Sequence, residues 1–210
     1  MTQAFRLLLA TTSEGKLREL RDLLGDLPIT LLTPRDVGLS LTVEETGRTY
    51  EENALLKARA YRDAAELPTL AEDSGLEIAA LGGAPGIYSA RYQGLPDGPV
   101  KNAYVLSQLA NVPWPARTAR YVCAMVLMLD ERTVTCRGVV TGVIASEPAG
   151  TGGFGFDPIF YVPRYRRTMA QLPPEVKNRI SHRARAARCV RRALLDQLRV
   201  LPLPAEVRYT

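Results

Sequence analysis

Tyr121-Val122-Cys123-Ala124-Met125-Val126-Leu127-Met128-Leu129 is a run of nine residues without a charge, the pattern of a strand covered on both faces. Asp130-Glu131-Arg132 interrupts it, and an extended run from Thr133 to Ile144 follows. Two such runs joined by a short polar turn read as a long antiparallel hairpin. Upstream, Phe5 to Ala10 reads as a first strand, Thr11 to Lys16 as a turn, and a helix then ends near Gly25. Ile29 to Leu32 reads as a second strand. The early βα units argue for an α/β protein, and the hairpin makes its sheet mixed rather than wholly parallel. The expected fold is therefore α/β, a mixed β-sheet flanked by helices, in a single domain over residues 1–210.

The remaining elements fit between these anchors. Thr49-Tyr50-Glu51-Glu52 has the form of a capping box, and the Ala-rich run to Ala65 continues it as a helix. Strands near Thr69 to Ala71 and Leu76 to Ala79 are expected to flank an acidic turn at Glu72-Asp73-Ser74-Gly75. A helix starts near Pro99, and Glu147 to Pro158 is Gly-rich and irregular. Ala187, Val190, Leu194 and Leu198 recur at helical spacing, so a last helix spans about Ser181 to Leu198.

Composition narrows the function classes. Apolar content of 46% and charged content of 23% over 210 residues are ordinary for a soluble globular domain. Cys123, Cys136 and Cys189 are odd in number, scattered and without a CxxC pair. That argues against a disulfide framework or a zinc site and fits a reducing cytoplasm. No signal peptide is apparent, and no segment approaches the ~20 apolar residues that span a bilayer. The formal net charge of +5 is uneven: Tyr161 to Arg199 holds eleven Lys/Arg against Glu175 and Asp196. Such a basic third fits nucleic acid, a nucleotide's phosphates or a solvated helix face. The acids concentrate between Glu44 and Glu77, where a nucleic-acid backbone would be repelled, and no RRM, KH or zinc signature is present.

Four clusters carry candidate chemistry. Thr11-Thr12-Ser13-Glu14-Gly15-Lys16 is a strand-turn-helix junction whose free N–H groups and lysine would suit a triphosphate, although it is not a Walker A loop. Glu44-Glu45 and Glu72-Asp73 are four carboxylates near proposed element ends, a donor set for a hard cation if the fold unites them. Gly153-Phe154-Gly155-Phe156-Asp157 sets an aromatic in a glycine frame, able to stack on a base. Ser181-His182-Arg183 opens the last helix with Ser181 as N-cap and Lys177 just before it. His182 and Arg183 can donate to base carbonyls, and Lys177 can reach a phosphate. A single histidine excludes a histidine-rich metal site, and the absence of GxSxG argues against a Ser/His/Asp hydrolase.

In order, Ala10–Lys16 with Glu19, Glu44–Ala58, Ala71–Gly94, Gly150–Pro163 and Lys177–Arg183 resemble the inosine triphosphate pyrophosphatase family. The run Leu81 to Tyr92 and the Ser-His-Arg triplet are its specific parts. The resemblance implies an elongated mixed sheet with two lobes around a cleft, usually in a homodimer. It implies hydrolysis of ITP, dITP and XTP to monophosphates, with no nucleic-acid polymer or membrane as partner. It implies triphosphate contacts from Thr11 to Lys16, and Mg2+ or Mn2+ held by Glu45, Glu44, Glu72 and Asp73. Asp73 would also accept the attacking water's proton, and Ser74 would touch substrate. Phe154, Gly155, Phe156, Asp157, Lys177, His182 and Arg183 would hold the nucleotide. Three residues depart from the family pattern: Ser13 stands for Asn, Glu72 for Asp and Phe156 for Tyr.

Overall fold

The structure is a computed structural model that describes residues 5–200. Its strands are β1 (Phe5–Leu9), β2 (Ile29–Leu32), β3 (Thr69–Ile78), β4 (Thr118–Met128), β5 (Thr133–Ile144), β6 (Phe160–Val162) and β7 (Arg167–Thr168). Its α-helices are α1 (Glu14–Leu24), α2 (Tyr50–Ala65), α3 (Pro99–Gln108), α4 (Pro174–Ile180) and α5 (His182–Val200). The strands form one open sheet in the order β2-β1-β3-β4-β5-β6-β7. β1 runs parallel to β2 and β3, and every later pairing is antiparallel. The mixed α/β sheet expected from the hairpin is thus present, with β4 and β5 paired from Thr118↔Val143 to Met128↔Thr133.

The uncharged β4 run has a simple cause. Cys123, Met125 and Leu127 pack with Leu20, Leu24, Val190 and Leu194 of α1 and α5. On the opposite face Val126 joins Ala54, Ala58 and Tyr61 of α2, and Val122 and Ala124 meet Tyr50. Each fully buried large apolar side chain contributes about 1.5–3 kcal/mol, so neither face tolerates a charge. A further cluster around Leu76, Val105, Leu109, Ile144 and Phe160 lies under α3 and the far strands. Thr49 caps α2 by accepting from the Glu52 N–H at 3.1 Å, while Glu52 Oε2 accepts from Arg48 N at 2.6 Å.

Two expectations need correction. Glu72 and Asp73 do not sit at a strand end beside a turn. β3 is one continuous strand, with Glu72 opposite Met125 and Asp73 opposite Ala124. β4 supplies ladder partners along its whole length, and side chains remote in sequence neutralise the acids. Polarity that reads locally as a turn is tolerated by these distant contacts.

The cysteines are the second correction. Cys136 and Cys189 form a disulfide between β5 and α5, with Cα atoms 5.8 Å apart, while Cys123 is free and buried. Their separation of 53 residues hides a proximity created only when α5 lies on β5. Gly138 permits that approach, since a Cβ there would overlap the His182 carbonyl oxygen. Among the described residues, no helix is long and apolar enough to cross a membrane.

Candidate functional site

A cleft of about 410 Å3 gathers most of the chemistry-bearing residues. Thr11, Thr12, Ser13 and Lys16 line it from the β1–α1 junction, and Glu72, Asp73, Ser74 and Gly75 from β3. Glu45, Phe154, Gly155, Phe156, Asp157, Lys177, His182 and Arg183 of the expected set line it as well. Glu44, Glu14 and Gly15 are not in the lining. Glu44 and Glu14 are exposed, and Gly15 lies against the Phe154 ring.

Adjacent residues of a strand point to opposite faces, so Glu72 and Asp73 meet different surroundings. On the α5 side, Arg183 grips Glu72 with Nε at 2.7 Å and Nη2 at 2.8 Å, and Lys16 adds an ion pair at 3.1 Å. Arg183 Nη1 also donates to Glu19 at 2.6 Å, and Lys177 pairs with Glu19 at 2.7 Å and with Asp157. Asp157 additionally accepts from the Phe154 N–H at 2.9 Å. Three carboxylates thus alternate with three cations in one continuous chain of ion pairs. Burial opposes ionisation of Glu72, but Arg183 and Lys16 outweigh it and hold the carboxyl well below the usual range. Burial likewise works against Glu19, and Arg183 and Lys177 bring it below its ordinary value. For Asp157 burial wins, and its carboxyl is raised despite Lys177.

On the α2 side, Asp73 accepts from Asn53 Nδ2 at 3.2 Å and from Lys57 Nζ at 3.4 Å. Lys57 also binds Glu45 at 2.8 Å, and Arg91 pairs with the second Glu45 oxygen. Burial raises Asp73, because one ammonium at 3.4 Å only partly offsets it and Glu45 repels. Burial opposes the charge on Lys57 too, yet two carboxylates hold its proton more tightly than usual.

No group of three or more His, Cys, Asp or Glu side chains among the described residues has metal-holding geometry. Glu45 and Asp73 nonetheless converge on one cationic nitrogen. Two carboxylates aimed at a single positive point, beside space for phosphate and water, fit a hard ion such as Mg2+ or Mn2+. Glu72 does not fit that role, because both its oxygens are held by Arg183 and Lys16.

His182 also lines the cleft, stacked on Tyr121 with ring centroids 4.5 Å apart and planes 10° from parallel. Burial, reinforced by Arg183, lowers its pKa well below 6.5, so the imidazole is neutral at pH 7. Its Nδ1 is buried and has no partner among the described residues. Ser181 caps α5 as expected, accepting from the Ala184 N–H at 3.1 Å. Phe154 is half-buried beneath Lys177 and Arg183, whereas Phe156 is buried with the Lys101 ammonium 6.0 Å from its ring centroid.

Sequence reasoning assigned no role to Lys57, Asn53, Tyr121 or Glu19. Asn53 and Lys57 stand four apart on α2 and Lys16 and Glu19 three apart on α1, spacings that place each pair on one helix face. That signal was readable, although the partners on β3, α4 and α5 were not.

The profile of the Ham1 family matches residues 7–193. A dITP/XTP pyrophosphatase from Shigella flexneri is 47% identical over 198 residues, covering 92% of this chain and 98% of that protein. One from Thermus thermophilus is 45% identical over 208 residues, covering 99% and 98%. The solved structure of a HAM1 protein from Coxiella burnetii superposes with a TM-score of 0.82 at 41% identity, covering 91% of this chain and 99% of that one. The chain belongs to the Ham1 family.

Proposed function

We propose that the chain hydrolyses non-canonical purine nucleoside triphosphates, ITP, dITP and XTP, to the monophosphate and pyrophosphate, and so removes them from the nucleotide pool. The observation that carries this is one cleft lined both by a carboxylate pair that shares an ammonium and by a neutral imidazole whose Nδ1 has no partner among the described residues. The names of the relatives supply the substrate class.

The reaction needs water to attack the α-phosphorus as pyrophosphate leaves. Mg2+ or Mn2+ held by Glu45 and Asp73 would supply charge neutralisation for the phosphates. Asp73 accepts the water's proton, a task helped by a carboxyl that burial has already made more basic. Lys16 and Lys57 face the negative charge that grows on the phosphates, and positioning with electrostatics supplies most of the rate. The helix start after Ser13 presents free N–H groups to the same phosphates.

For the base, the 6-oxo group of hypoxanthine or xanthine is an acceptor. Arg183 has five N–H donors, and Glu72, Glu19 and Ser74 take four contacts, which leaves one N–H for that oxygen. Adenine presents an NH2 group there and leaves the buried donor unpaired. The active form is a homodimer in the cytoplasm, without a nucleic-acid polymer as partner. A monomeric mass by light scattering at micromolar concentration rejects the dimer.

The central test is a panel of nucleoside triphosphates assayed separately for pyrophosphate and orthophosphate, with and without chelator. ITP should release pyrophosphate in one step, with ATP much slower, and chelator should abolish activity until Mg2+ is restored. Orthophosphate as the first product overturns the reading.

A further inference from the structure

We propose that Asn53 is a positioning residue that sets the separation of Glu45 and Asp73, joining the segment that carries one to the strand that carries the other. The inference rests on the reading of Asp73 as the proton acceptor. Asn53 is completely buried in the first turns of α2. Its Nδ2 donates to Asp73 Oδ2 at 3.2 Å, and its Oδ1 accepts from the Gly47 N–H at 2.8 Å. One amide therefore spans from mid-β3 to a position two residues beyond Glu45.

The segment needs such a tie. Residues 39–47 form neither helix nor strand, so no backbone ladder fixes where Glu45 lies. Leu39, Leu41 and Val43 pack against the apolar face of α2, and the Tyr61 hydroxyl donates to the Leu41 carbonyl at 3.1 Å. Lys57 and the half-exposed Arg91 hold the Glu45 carboxylate by charge. Asn53 adds the hydrogen-bonded link from the backbone beside Glu45 to the Asp73 side chain. Gly47 lets the segment press against α2: a Cβ there would stand 2.7 Å from Asn53 Oδ1 and 3.0 Å from Asn53 N.

The chemistry of the amide suits the task. The site requires a donor toward a carboxylate and an acceptor toward a backbone N–H, and asparagine offers both at one length. Aspartate would face Asp73 with a like charge, and alanine would leave the Gly47 N–H without its acceptor. Lys57, one turn further along α2, meets the same two carboxylates through charge. The neutral amide holds them by geometry, and that hold does not vanish when another cation takes the carboxylate charge.

A merely structural role for Asn53 would lower stability and activity together. The test therefore measures kcat and KM for ITP, Mn2+ affinity by electron paramagnetic resonance without nucleotide, and thermal midpoint. The variants are Asn53→Ala, Gly47→Ala, Glu45→Gln, Asn53→Ala with Glu45→Gln, and Ala58→Gly as a buried α2 control. A misplacement of about 1 Å at a reacting centre can cost on the order of a hundredfold. Below all midpoints, Asn53→Ala should lower kcat about a hundredfold, change KM less than about threefold and weaken Mn2+ binding about tenfold. Gly47→Ala displaces the same bond from the half-buried Gly47 side with Asn53 intact, and should lower kcat about tenfold even if Asn53→Ala fails to fold. Ala58→Gly should lower the midpoint and leave kcat and Mn2+ binding at parental values. The double variant should lose little beyond Glu45→Gln alone, because both changes act on one geometry.

Parental kcat or Mn2+ affinity in a folded Asn53→Ala or Gly47→Ala variant overturns the positioning role and leaves the pyrophosphatase reading intact. Multiplicative losses in the double variant do the same. Orthophosphate as the parent's first product overturns both.

Discussion

Glu72 and Asp73 are neighbours on one strand, yet they live in opposite electrostatic worlds. Glu72 faces α5 and α1, where Arg183 and Lys16 consume both its oxygens and drive its pKa down. Asp73 faces α2, where an amide and one ammonium at 3.4 Å hold it loosely and burial drives its pKa up. Two carboxyls pushed apart in this way commonly divide structural from chemical work. The Glu72 side is a network with every charge answered, which stiffens that wall of the cleft. The Asp73 side keeps an under-compensated carboxylate, which is what a proton acceptor requires.

The largest expected effect falls on the loose side. Asp73→Asn is nearly isosteric and removes the proposed proton acceptor together with one of two carboxylates around Lys57. We expect kcat on ITP to drop about a thousandfold, roughly 4 kcal/mol of barrier. Stability should hold or rise: a carboxyl whose folded pKa lies above its unfolded 3.8 costs stability once ionised, and the amide avoids that cost. Pyrophosphate release at the parental rate would break the contrast at its centre.

The locked side should respond the other way round. Glu72→Gln leaves Lys16 without its carboxylate partner and Arg183 with Glu19 alone, and removing one partner of a buried pair costs about 3 kcal/mol or more. Denaturant unfolding should show that loss directly. The sign with pH follows from a folded pKa below the unfolded 4.5: Glu72 contributes stability above about pH 4.5, and this is lost as pH falls through the folded value. The parent should therefore weaken in acid, and Glu72→Gln should be flatter over the same range. An equally steep acid profile in both proteins would assign the acid sensitivity to other groups.

This division was invisible in the amino-acid order. The hairpin, β2 and the extent of α2 were legible, because burial on both faces and capping leave local traces at Tyr121 to Leu129 and at Thr49. The residues lining the cleft were largely legible through the family resemblance, including Lys16, Asp73, Phe154 and His182. Their partners were not. That Glu72 binds Arg183 depends on two segments 111 residues apart, and that Asp73 meets Asn53 depends on how α2 lies across β3. Sequence polarity at Glu72-Asp73 looked like a turn because the neutralising cations come from other elements. The Cys136–Cys189 bond was missed for the same reason, since spacing does not report which helix lies on which strand.

His182 sharpens the comparison from within the locked side. It neighbours Arg183 in sequence but carries the unpartnered Nδ1, so it should behave like a binding group rather than a strut. His182→Ala should cost about 2 kcal/mol on ITP turnover, roughly thirtyfold, which is the worth of a hydrogen bond in a desolvated site. The ring is buried and stacks on Tyr121, so its truncation should also lower the thermal midpoint, and turnover is compared well below the midpoints of both proteins. Unchanged selectivity for ITP over ATP would place base recognition elsewhere.

Arg91 marks the lower limit of the effect on the loose side. Its guanidinium pairs with Glu45, yet its side chain is 44% exposed, so water and salt screen the pair. Such exposed pairs contribute about 0.2–1 kcal/mol. Glu45 also keeps Lys57 at 2.8 Å and the Asn53 tie through Gly47, neither of which passes through Arg91. Arg91→Gln should therefore lower kcat/KM for ITP by less than about fivefold, under about 1 kcal/mol, and the deficit should shrink as salt is raised. A hundredfold loss that persists at high salt would mean that Arg91 itself contacts the triphosphate. The loose side would then hold its substrate through an exposed cation rather than through the buried group of Asn53, Lys57 and Asp73.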